Sequence, residues 1–380
     1  MTRLSMKRNT PEYYKIYKQV RSQITKGILE YGQKLPSKRD LADKTGTSVT
    51  TVEHAYGLLI EEGYIEARKR SGYFVAFKRE EFFLAGGVPE SEVKVSSSPP
   101  PEETVSTTAS GYPTGLENQI PFPLSVLAKT MREIIKDRTE KLLEKSPNWG
   151  LVELREAIQS YLARTRGIEV QIGQIIIGSG SEYLYGLLAQ VFGKEKTFAI
   201  ENPSYSRIEL VYLSHGVRLE KLPIGEDGIK SESLVSSNAD ILHISPYRSF
   251  PSGVRASASK RYEYLQWAKK EGRYIVEDDY ESEFSVLTKN EETLFAVSHA
   301  HNVIYLNSFT KTISPSLRAA YMILPKSLIP LFSEKIGFYS CTVPIFEQLL
   351  LSRLISNGDF ERHINKVRRD KRKKLTSILR

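Results

Sequence analysis

The sequence predicts two folded domains: a small helical domain that ends in a β-hairpin, and a larger α/β domain built on a mainly parallel sheet. An abrupt change in composition, centred on a Ser/Pro run at 96–101, separates them. Beyond it, helical patterns alternate with short apolar runs, as in a chain that crosses over between parallel strands. These runs are 175–177, 198–200, 241–244, 274–276, 303–306 and 321–324. We place the small domain at 1–79, a linker at 80–111 and the large domain at 112–380.

The composition excludes several classes of protein. The sequence contains one cysteine, Cys341, and six scattered histidines, so it has no internal disulfide framework and no cluster with metal-site spacing. We therefore expect no bound metal. No apolar run is long enough for a membrane span, and the first ten residues lack the apolar core of a signal peptide. We expect a cytoplasmic protein with no membrane partner.

Charge is distributed unevenly along the chain, and the first segment is strongly basic. The formal net charge is +9, and residues 1–79 carry 16 Lys and Arg against 8 Asp and Glu. Residues 361–380 carry nine Lys and Arg against two Asp and Glu. Their apolar residues recur at helical spacing, which favours a solvated helix face over a nucleic-acid patch. The basic excess of the small domain instead predicts binding to a polyanion.

Residues 11–61 show the spacing of a helix-turn-helix that follows an amphipathic first helix. Ser37 can cap the second helix and expose cations at its positive end, where a phosphate binds well. Ala42, Gly46 and Val52 supply the small contact residue, the turn glycine and the core anchor. The third helix would enter the major groove. The residues that these helices would present to DNA are Lys38, Arg39, Ser48, Thr50, Thr51 and His54.

Two short β patterns at 64–67 and 73–77 flank a basic turn and predict a hairpin wing. Its cations would lie against the minor groove or the DNA backbone. A small protein-binding module built from the same helices and hairpin remains the alternative interpretation. The wing residues predicted to contact DNA are Arg68, Lys69, Arg70 and Gly72.

The pattern Leu-Pro-Ser-Lys-Arg-Asp-Leu-Ala at 35–42, with the turn and the glycine-containing wing that follow, resembles the GntR superfamily of winged helix-turn-helix proteins. Two positions depart from the family's pattern, because Val49 stands where an arginine is usual and Arg70 where a glycine is usual. We therefore expect an operator unlike those of other members. The resemblance implies contacts to double-stranded DNA by Arg39, Ser48, Thr50, Thr51 and Gly72.

Three predicted strands of the large domain end in residues with cofactor chemistry, and parallel sheets bind ligands at such ends. A Gly-Ser-Gly-Ser turn at 178–181 opens a helix and offers free backbone N–H groups. An acidic segment with a tyrosine follows at 277–280, and Lys311 lies among hydroxyls. Singly, these features are compatible with a glycine turn, a solvated loop and a surface lysine. Together they supply what pyridoxal phosphate requires: a dianion cradle, a carboxylate, a phenol and a lysine.

The same order of motifs resembles the fold-type I aminotransferases over residues 112–380. The resemblance implies that Lys311 is the Schiff-base lysine of pyridoxal 5′-phosphate and that Asp278 is the partner of the ring nitrogen. Tyr280 would be the phenol near the ring oxygen, and Asp279 is the less favoured carboxylate. The resemblance further implies a phosphate cup of Ser179, Gly180, Ser181, Ser308 and Arg318, a ring-stacking Tyr205 and an effector-facing Arg207.

Together, the two resemblances identify the chain as a member of the MocR/GabR-type bacterial transcription factors. Membership implies a regulator that binds operator DNA as a head-to-tail homodimer and senses a small amine or amino acid through an aldimine at Lys311. Two alternatives remain open. One is a working aminotransferase that carries a DNA-binding appendage, and the other is a DNA-binding fragment with a vestigial cofactor site.

Two departures from the relatives concern the sensor. The segment 245–253 reads Ser-Pro-Tyr-Arg-Ser-Phe-Pro-Ser-Gly where the family has Thr-Pro-Ser-His-Gln-x-Pro-x-Gly. The sequence also stops at Arg380, where relatives continue through a small C-terminal lobe that carries a carboxylate-binding arginine. We therefore expect an apparently truncated sensor that responds weakly to effector while the chain still recognises DNA. We also expect exposed apolar surface around Leu349 and Leu354.

Overall fold

A computed structural model describes residues 11–68, 71–77, 120–285, 292–298, 301–314 and 316–378 of the chain. The predicted linker at 80–111 lies outside the described residues, as do Lys69 and Arg70 of the predicted wing. The description therefore covers two folded parts. Below, the small domain means residues 11–77 and the large domain means residues 120–378.

The small domain consists of three helices and a two-stranded hairpin, as predicted. Its elements are α1 (Glu12–Thr25), α2 (Lys38–Thr45), α3 (Val49–Glu61), β1 (Ile65–Arg68) and β2 (Gly72–Val75). The Ser37 and Ser48 side chains cap α2 and α3, at the positions that the sequence indicates. Gly46 ends α2 at φ 64°, a left-handed conformation that allows the tight turn into α3.

A single mixed sheet forms the centre of the large domain. Its strands are β3 (Ile175–Gly178), β4 (Thr197–Asn202), β5 (Arg218–Gly225), β6 (Gly228–Ile229), β7 (Ile241–Ile244), β8 (Tyr274–Asp278), β9 (Val303–Ser308) and β10 (Ala320–Ile323). They follow the order β3-β10-β9-β8-β7-β4-β5-β6. The five strands from β9 to β5 are parallel, whereas β10 is antiparallel to both of its neighbours and β6 to β5. The predicted fold class, a mainly parallel α/β sheet, is confirmed.

Helices cover both faces of this sheet. On one face lie α4 (Leu124–Asp137), α5 (Val152–Thr165), α8 (Ser231–Ser236), α9 (Ala258–Trp267), α10 (Leu294–Val297), α12 (Ile345–Ser356) and α13 (Asp359–Ile378). On the other lie α6 (Ser181–Phe192), α7 (Ser206–Ser214) and α11 (Ile329–Ile336). Leu349 and Leu354 are 6% and 0% exposed. The expectation of exposed apolar surface there is wrong, because α12 packs against α4, α5 and α13. Within the described part of the chain, no helix is long and apolar enough to cross a membrane.

The carboxyl ends of β3, β8 and β9 lie at the same edge of the sheet. Both β3 and β9 pair antiparallel to β10, so they run in the same direction, and β8 runs parallel to β9. The last residues of these strands are Gly178, Asp278 and Ser308. The three motifs that the sequence singles out therefore meet at one edge, where ligands bind in open α/β sheets.

Candidate cofactor site and DNA-contact surface

A cavity at this edge brings most of the predicted cofactor residues together, and we call it the cofactor cavity. Its lining residues are Ser181, Glu182, Glu201, Tyr205, Ile208, Ser245, Phe250, Asp278, Tyr280, Ser308, Thr310, Lys311 and Arg318. Three predicted residues, Ser179, Gly180 and Arg207, are not among these lining residues. Gly180 lies directly against the Arg318 guanidinium, and Arg207 is exposed in the first turn of α7.

Lys311 lies in the turn after β9, and its side chain is 19% exposed. Its Nζ lies 3.9 Å from Glu281 Oε2 and 4.4 Å from the centre of the Tyr280 ring. Burial lowers the pKa of Lys311, although the nearby Glu281 carboxylate opposes this effect. A lower pKa leaves more of the amine neutral at a given pH, and the neutral amine is the form that attacks an aldehyde.

Asp278 ends β8 with a buried carboxylate. Its Oδ2 accepts a hydrogen bond from Tyr185 and lies 3.5 Å from His243 Nε2. Its Oδ1 is buried too but has no hydrogen-bond partner among the described residues. An unsatisfied buried carboxylate oxygen is costly, and the protonated ring nitrogen of pyridoxal phosphate is a donor that would satisfy it. The donor set around Asp278 therefore fits the predicted cofactor.

Tyr185 and His243 support Asp278 and are not among the site residues predicted from the sequence. Tyr185 lies on α6 and His243 lies on β7. The Nδ1 atom of His243 lies 2.7 Å from the Tyr212 hydroxyl. His243 is the one polar side chain in the apolar run at 241–244, and all four residues of that strand are buried. A polar residue inside a buried strand needs a partner, which is the signal that could have identified it.

Asp279 has partners of its own. Its carboxylate pairs with the Arg166 guanidinium, and its Oδ2 accepts a hydrogen bond from Tyr305 at 2.7 Å. The Arg166 and Asp279 side chains are 1% and 0% exposed. A carboxylate committed to a buried ion pair is not free to bind a ligand, which favours Asp278 over Asp279 as the partner of the ring nitrogen.

The start of α6 and the turn after β9 together form an anion cradle. Ser181 begins α6, where the first backbone N–H groups have no partner within the helix. The Ser308 and Thr310 hydroxyls lie 3.0 Å apart. Gly180 has φ +97°, and a Cβ there would lie 3.1 Å from Arg318 Nη2, so a larger residue would crowd the guanidinium. Hydroxyls, backbone N–H groups and a guanidinium are donors that suit a phosphate dianion.

Two tyrosines complete the lining. The Tyr205 ring lies beside that of Phe250, with their centres 6.1 Å apart. The Tyr280 hydroxyl donates a hydrogen bond to the Arg248 carbonyl at 2.8 Å. Tyr280, which the sequence predicts to lie near the cofactor's ring oxygen, is therefore hydrogen-bonded to the loop after β7 in this structure. Tyr280 must exchange this acceptor before it can donate to a ligand.

The predicted DNA contacts of the small domain lie at the starts of α2 and α3. Arg39 is exposed in the first turn of α2, and Thr50 and His54 are exposed on α3. Ser48 acts as a cap, because its Oγ accepts a hydrogen bond from the Thr51 N–H at 3.1 Å. Exposed donors at two helix starts suit the phosphates and base edges of a DNA groove.

Two of the predicted DNA-contacting cations have acidic neighbours. Lys38 Nζ lies 2.6 Å from Glu53 Oε1, and Arg68 Nη2 lies 2.7 Å from Glu66 Oε1. Exposed ion pairs of this kind contribute little to stability, so a phosphate can replace either acid at low cost. Gly72 begins β2 at φ +107°, a conformation that favours glycine at the tip of the wing.

The two domains match different known families. Residues 12–75 match the bacterial regulatory proteins of the gntR family, and residues 108–379 match aminotransferase class I and II. The chain is 30% identical to the uncharacterized HTH-type transcriptional regulator YdeL of Bacillus subtilis over 97% of this chain and 78% of YdeL. It is 28% identical to MocR of Rhizobium meliloti, a probable rhizopine catabolism regulatory protein, over 95% of this chain and 75% of MocR.

Solved structures similar to the large domain are aminotransferases. LysN, the α-aminoadipate aminotransferase of Thermus thermophilus in complex with N-(5′-phosphopyridoxyl)-L-leucine, gives a TM-score of 0.60 at 28% identity. The match covers 68% of this chain and 67% of LysN. The kynurenine aminotransferase of Pyrococcus horikoshii gives a TM-score of 0.59 at 24% identity over 65% of this chain and 64% of its own, which supports the fold alone. The chain thus spans about two thirds of the length of these structures.

Replacing the two aspartates separately should have different effects. Asp278→Asn removes the charge that faces a protonated ring nitrogen, so affinity for pyridoxal 5′-phosphate should fall about tenfold or more. Asp279→Asn leaves Arg166 buried without its counter-ion and should lower the free energy of unfolding by about 3–5 kcal/mol. Cofactor titration by fluorescence and urea unfolding of the cofactor-free protein measure the two effects. Equal losses of stability in both variants would contradict the assignment.

Arg39→Ala should weaken binding to a mixed-sequence DNA duplex and reduce its salt dependence. The exposed guanidinium is placed to neutralise one phosphate, so the slope of log affinity against log salt should fall by about 1. Fluorescence anisotropy at several salt concentrations gives the slope. Lys15→Ala on α1, which carries none of the predicted contacts, is the control and should keep the wild-type slope. An unchanged slope in Arg39→Ala would remove this residue from the DNA contacts.

Proposed function

Since this chain belongs to the aminotransferase class I and II family and is a DNA-binding transcriptional regulator of the MocR type, we propose that it senses a small amine or amino acid with pyridoxal 5′-phosphate held at Lys311. The small domain would read operator DNA, and the large domain would report the effector. The observation that carries this proposal is the cofactor cavity. There a largely buried lysine, a carboxylate with an unsatisfied oxygen and an anion cradle line one site.

Each of these groups has a defined task toward the cofactor. Bound pyridoxal phosphate supplies an aldehyde that captures primary amines reversibly. Lys311 would provide the amine that holds the cofactor through this aldehyde. Asp278 would accept a hydrogen bond from the ring N–H and keep the proton on the ring nitrogen. Ser181, Ser308 and Arg318, which line the cavity, would hold the phosphate.

A second cavity shares residues 278 and 280 with the cofactor cavity, and four cations and three carboxylates are among its lining residues. Three of its cations come from separate segments of the chain: Arg248, Arg255 and Lys371. The carboxylates are Asp278, Asp279 and Glu281, and Glu281 Oε2 lies 3.1 Å from Arg248 Nη1. Of these charges, Arg166 and Asp279 pair with each other, whereas Arg248 is 59% exposed beside the cavity. Arginine binds carboxylates with two parallel hydrogen bonds, so Arg248 suits a ligand that carries one. We therefore propose an amino acid, rather than a simple amine, as the effector.

Arg207 remains a second candidate for contact with the effector. It lies two residues beyond Tyr205, which lines the cofactor cavity, but its own side chain is exposed on α7. At this place it would attract an anionic effector towards the cavity before binding. Arg248 would then hold the bound carboxylate.

A cytoplasmic head-to-tail homodimer is part of the proposal. The large domain exposes several large apolar side chains, among them Leu124 at 79%, Leu143 at 86% and Phe338 at 69%. Burial in a subunit interface would remove this apolar surface from water. Two small domains in one dimer would read two half-sites of an operator.

Borohydride reduction of the cofactor-loaded protein should attach the cofactor to Lys311, and Lys311→Ala should abolish both this adduct and the visible absorption band. Peptide mass spectrometry locates the adduct. Lys326→Ala, which removes an exposed lysine, is the control and should retain both signals. An adduct that survives on another lysine would refute the assignment. Sustained turnover of an amino acid with a 2-oxo acid would favour the alternative, a working aminotransferase.

Wild-type protein should bind 4-aminobutyrate about tenfold or more tightly than propylamine, and L-alanine more tightly than ethylamine, because the amines lack a carboxylate. Titrations that follow the cofactor's absorption band give the affinities. Arg248→Gln should reduce these ratios, whereas Arg218→Gln, at an exposed arginine of β5, should not. Equal affinity of the wild-type protein for the acid and the amine of each pair would overturn the choice of an amino acid.

A further inference from the structure

We propose that a docking face on the large domain, formed by Ala258, Tyr262 and Glu292, holds the DNA-reading small domain, and that Glu292 couples this docking to the state of the cofactor cavity. The coupling rests on the proposed function, whereas the docking contact stands on its own geometry. Tyr262 and Ala258 belong to α9, and Glu292 precedes α10.

The apolar part of the docking face is continuous with the core of the small domain. Ala258 is 1% exposed and packs in the same cluster as the buried residues of α1 and α3. A Cβ at Gly63 would lie 3.8 Å from the Ala258 backbone nitrogen, which shows how closely the backbones of the two domains approach. The Tyr262 ring meets the Phe77 ring edge to face, with 5.4 Å between their centres. This contact removes apolar surface of both domains from water.

A charged contact at Glu292 completes the docking face. The Arg21 guanidinium of α1 forms an ion pair with the Glu292 carboxylate, and Tyr14 donates a hydrogen bond to Glu292 Oε1 at 3.0 Å. The Arg21 and Glu292 side chains are only 20% and 15% exposed. Arg21 also donates to the Tyr17 hydroxyl at 3.3 Å. Because both charges are largely withdrawn from water, removal of either one leaves the other poorly compensated.

The segment that carries Glu292 is fixed by Glu277, the neighbour of Asp278. The Glu277 carboxylate accepts hydrogen bonds from the Leu294 N–H at 2.8 Å and the Phe295 N–H at 2.9 Å. The Tyr247 hydroxyl donates to Glu277 and also lies 3.3 Å from the Glu292 carbonyl oxygen. A hydroxyl has one proton, so Tyr247 can fully serve only one of these acceptors at a time. A shift of Tyr247 therefore changes how firmly Glu292 is held.

Tyr247 is connected directly to the cofactor cavity through the next residue. The Arg248 carbonyl accepts a hydrogen bond from the Tyr280 hydroxyl, and the Lys311 amine lies 4.4 Å from the centre of the Tyr280 ring. Tyr280 can donate to the Arg248 carbonyl or to a ligand in the cavity, but not to both. Occupation of the cavity would release Arg248 and, with it, Tyr247. The docking face then holds the small domain less firmly, which gives two states that a ligand can populate.

Charge reversal tests the docking contact in the full chain. Arg21→Glu and Glu292→Arg should each accelerate amide hydrogen exchange in α9 about tenfold, and the double variant should restore slower exchange. Lys15→Glu makes the same change of charge at an exposed site on α1 and should leave the exchange rates of α9 as in the wild type. A double variant that exchanges as fast as the single variants would overturn the docking face.

Pyridoxal 5′-phosphate is the probe for the coupling, and its visible band reports binding. In the wild-type protein, loading should accelerate exchange in α9, and Tyr247→Phe should remove this effect while the band remains. The coupling would be overturned if cofactor loading left the exchange rate of α9 unchanged in the wild-type protein, or if loading still accelerated this exchange in Tyr247→Phe. Either result would leave the proposed function intact. A wild-type protein that takes up no cofactor would overturn both the proposed function and the coupling. The charge-reversal result would still decide the docking face.

Discussion

Three consecutive buried carboxylates at the end of β8 constrain both the cofactor cavity and the contact between the domains. Glu277, Asp278 and Asp279 are 0%, 4% and 1% exposed. A buried charge costs several kcal/mol unless charges or hydrogen-bond donors compensate it, so each carboxylate needs partners of its own. Successive residues of a strand point to opposite faces of the sheet. Asp278 therefore points to the side of α6, and its neighbours point to the other face.

The three sets of partners fix β8 from both faces. On one face, Asp279 binds Arg166 beyond the end of α5, and Glu277 accepts the first N–H groups of α10. Glu277 is fully withdrawn from water, and this burial raises its pKa to about 7 despite the hydrogen bonds. Asp278, on the opposite face, is held by Tyr185, lies beside His243 and keeps one oxygen unsatisfied. A ligand thus meets a carboxylate whose position is already fixed, which reduces the ordering that binding requires.

The sequence was sufficient for the features that depend on local pattern. The apolar runs appear as strands, and the capping serines begin their helices where predicted. The reversal of β10 was also accessible, because residues 309–319 are too few for the usual helical crossover between parallel strands. The partners of the buried carboxylates could not be predicted from the sequence. Arg166 and Tyr185 precede the aspartates that they bind by 113 and 93 residues, and no local pattern signals such pairs.

Burial of α12 was missed for a related reason. The leucines around Leu349 and Leu354 were expected to be exposed because the C-terminal lobe of the relatives was taken to cover them, and the sequence does not show which other helices do so. In the structure α4, α5 and α13 do so. For Arg207, a motif match gives the position along α7 but not the direction of the side chain. Both Arg207 and Arg248 are exposed, but Arg248 lines the second cavity and Arg207 lines neither cavity, which is why Arg248 is the stronger candidate for holding a carboxylate.

The hydrogen bonds of two tyrosines favour a sensor over a catalyst. A catalyst depends on groups held in one productive geometry, whereas a sensor depends on an element with two arrangements of similar free energy. The Tyr247 hydroxyl has two acceptors within reach, Glu277 and the Glu292 carbonyl, and the Tyr280 hydroxyl donates to the Arg248 carbonyl. Tyr247 lies within the loop at 245–253, and Tyr280 bonds to it. In that loop the family pattern has a histidine where this chain has Arg248. Arg248 binds Glu281, the same carboxylate that lies beside Lys311. A movement of the loop therefore changes the charge around the reactive amine and the support of Glu292 together, so that chemistry in the cavity and docking of the DNA reader share one structural element.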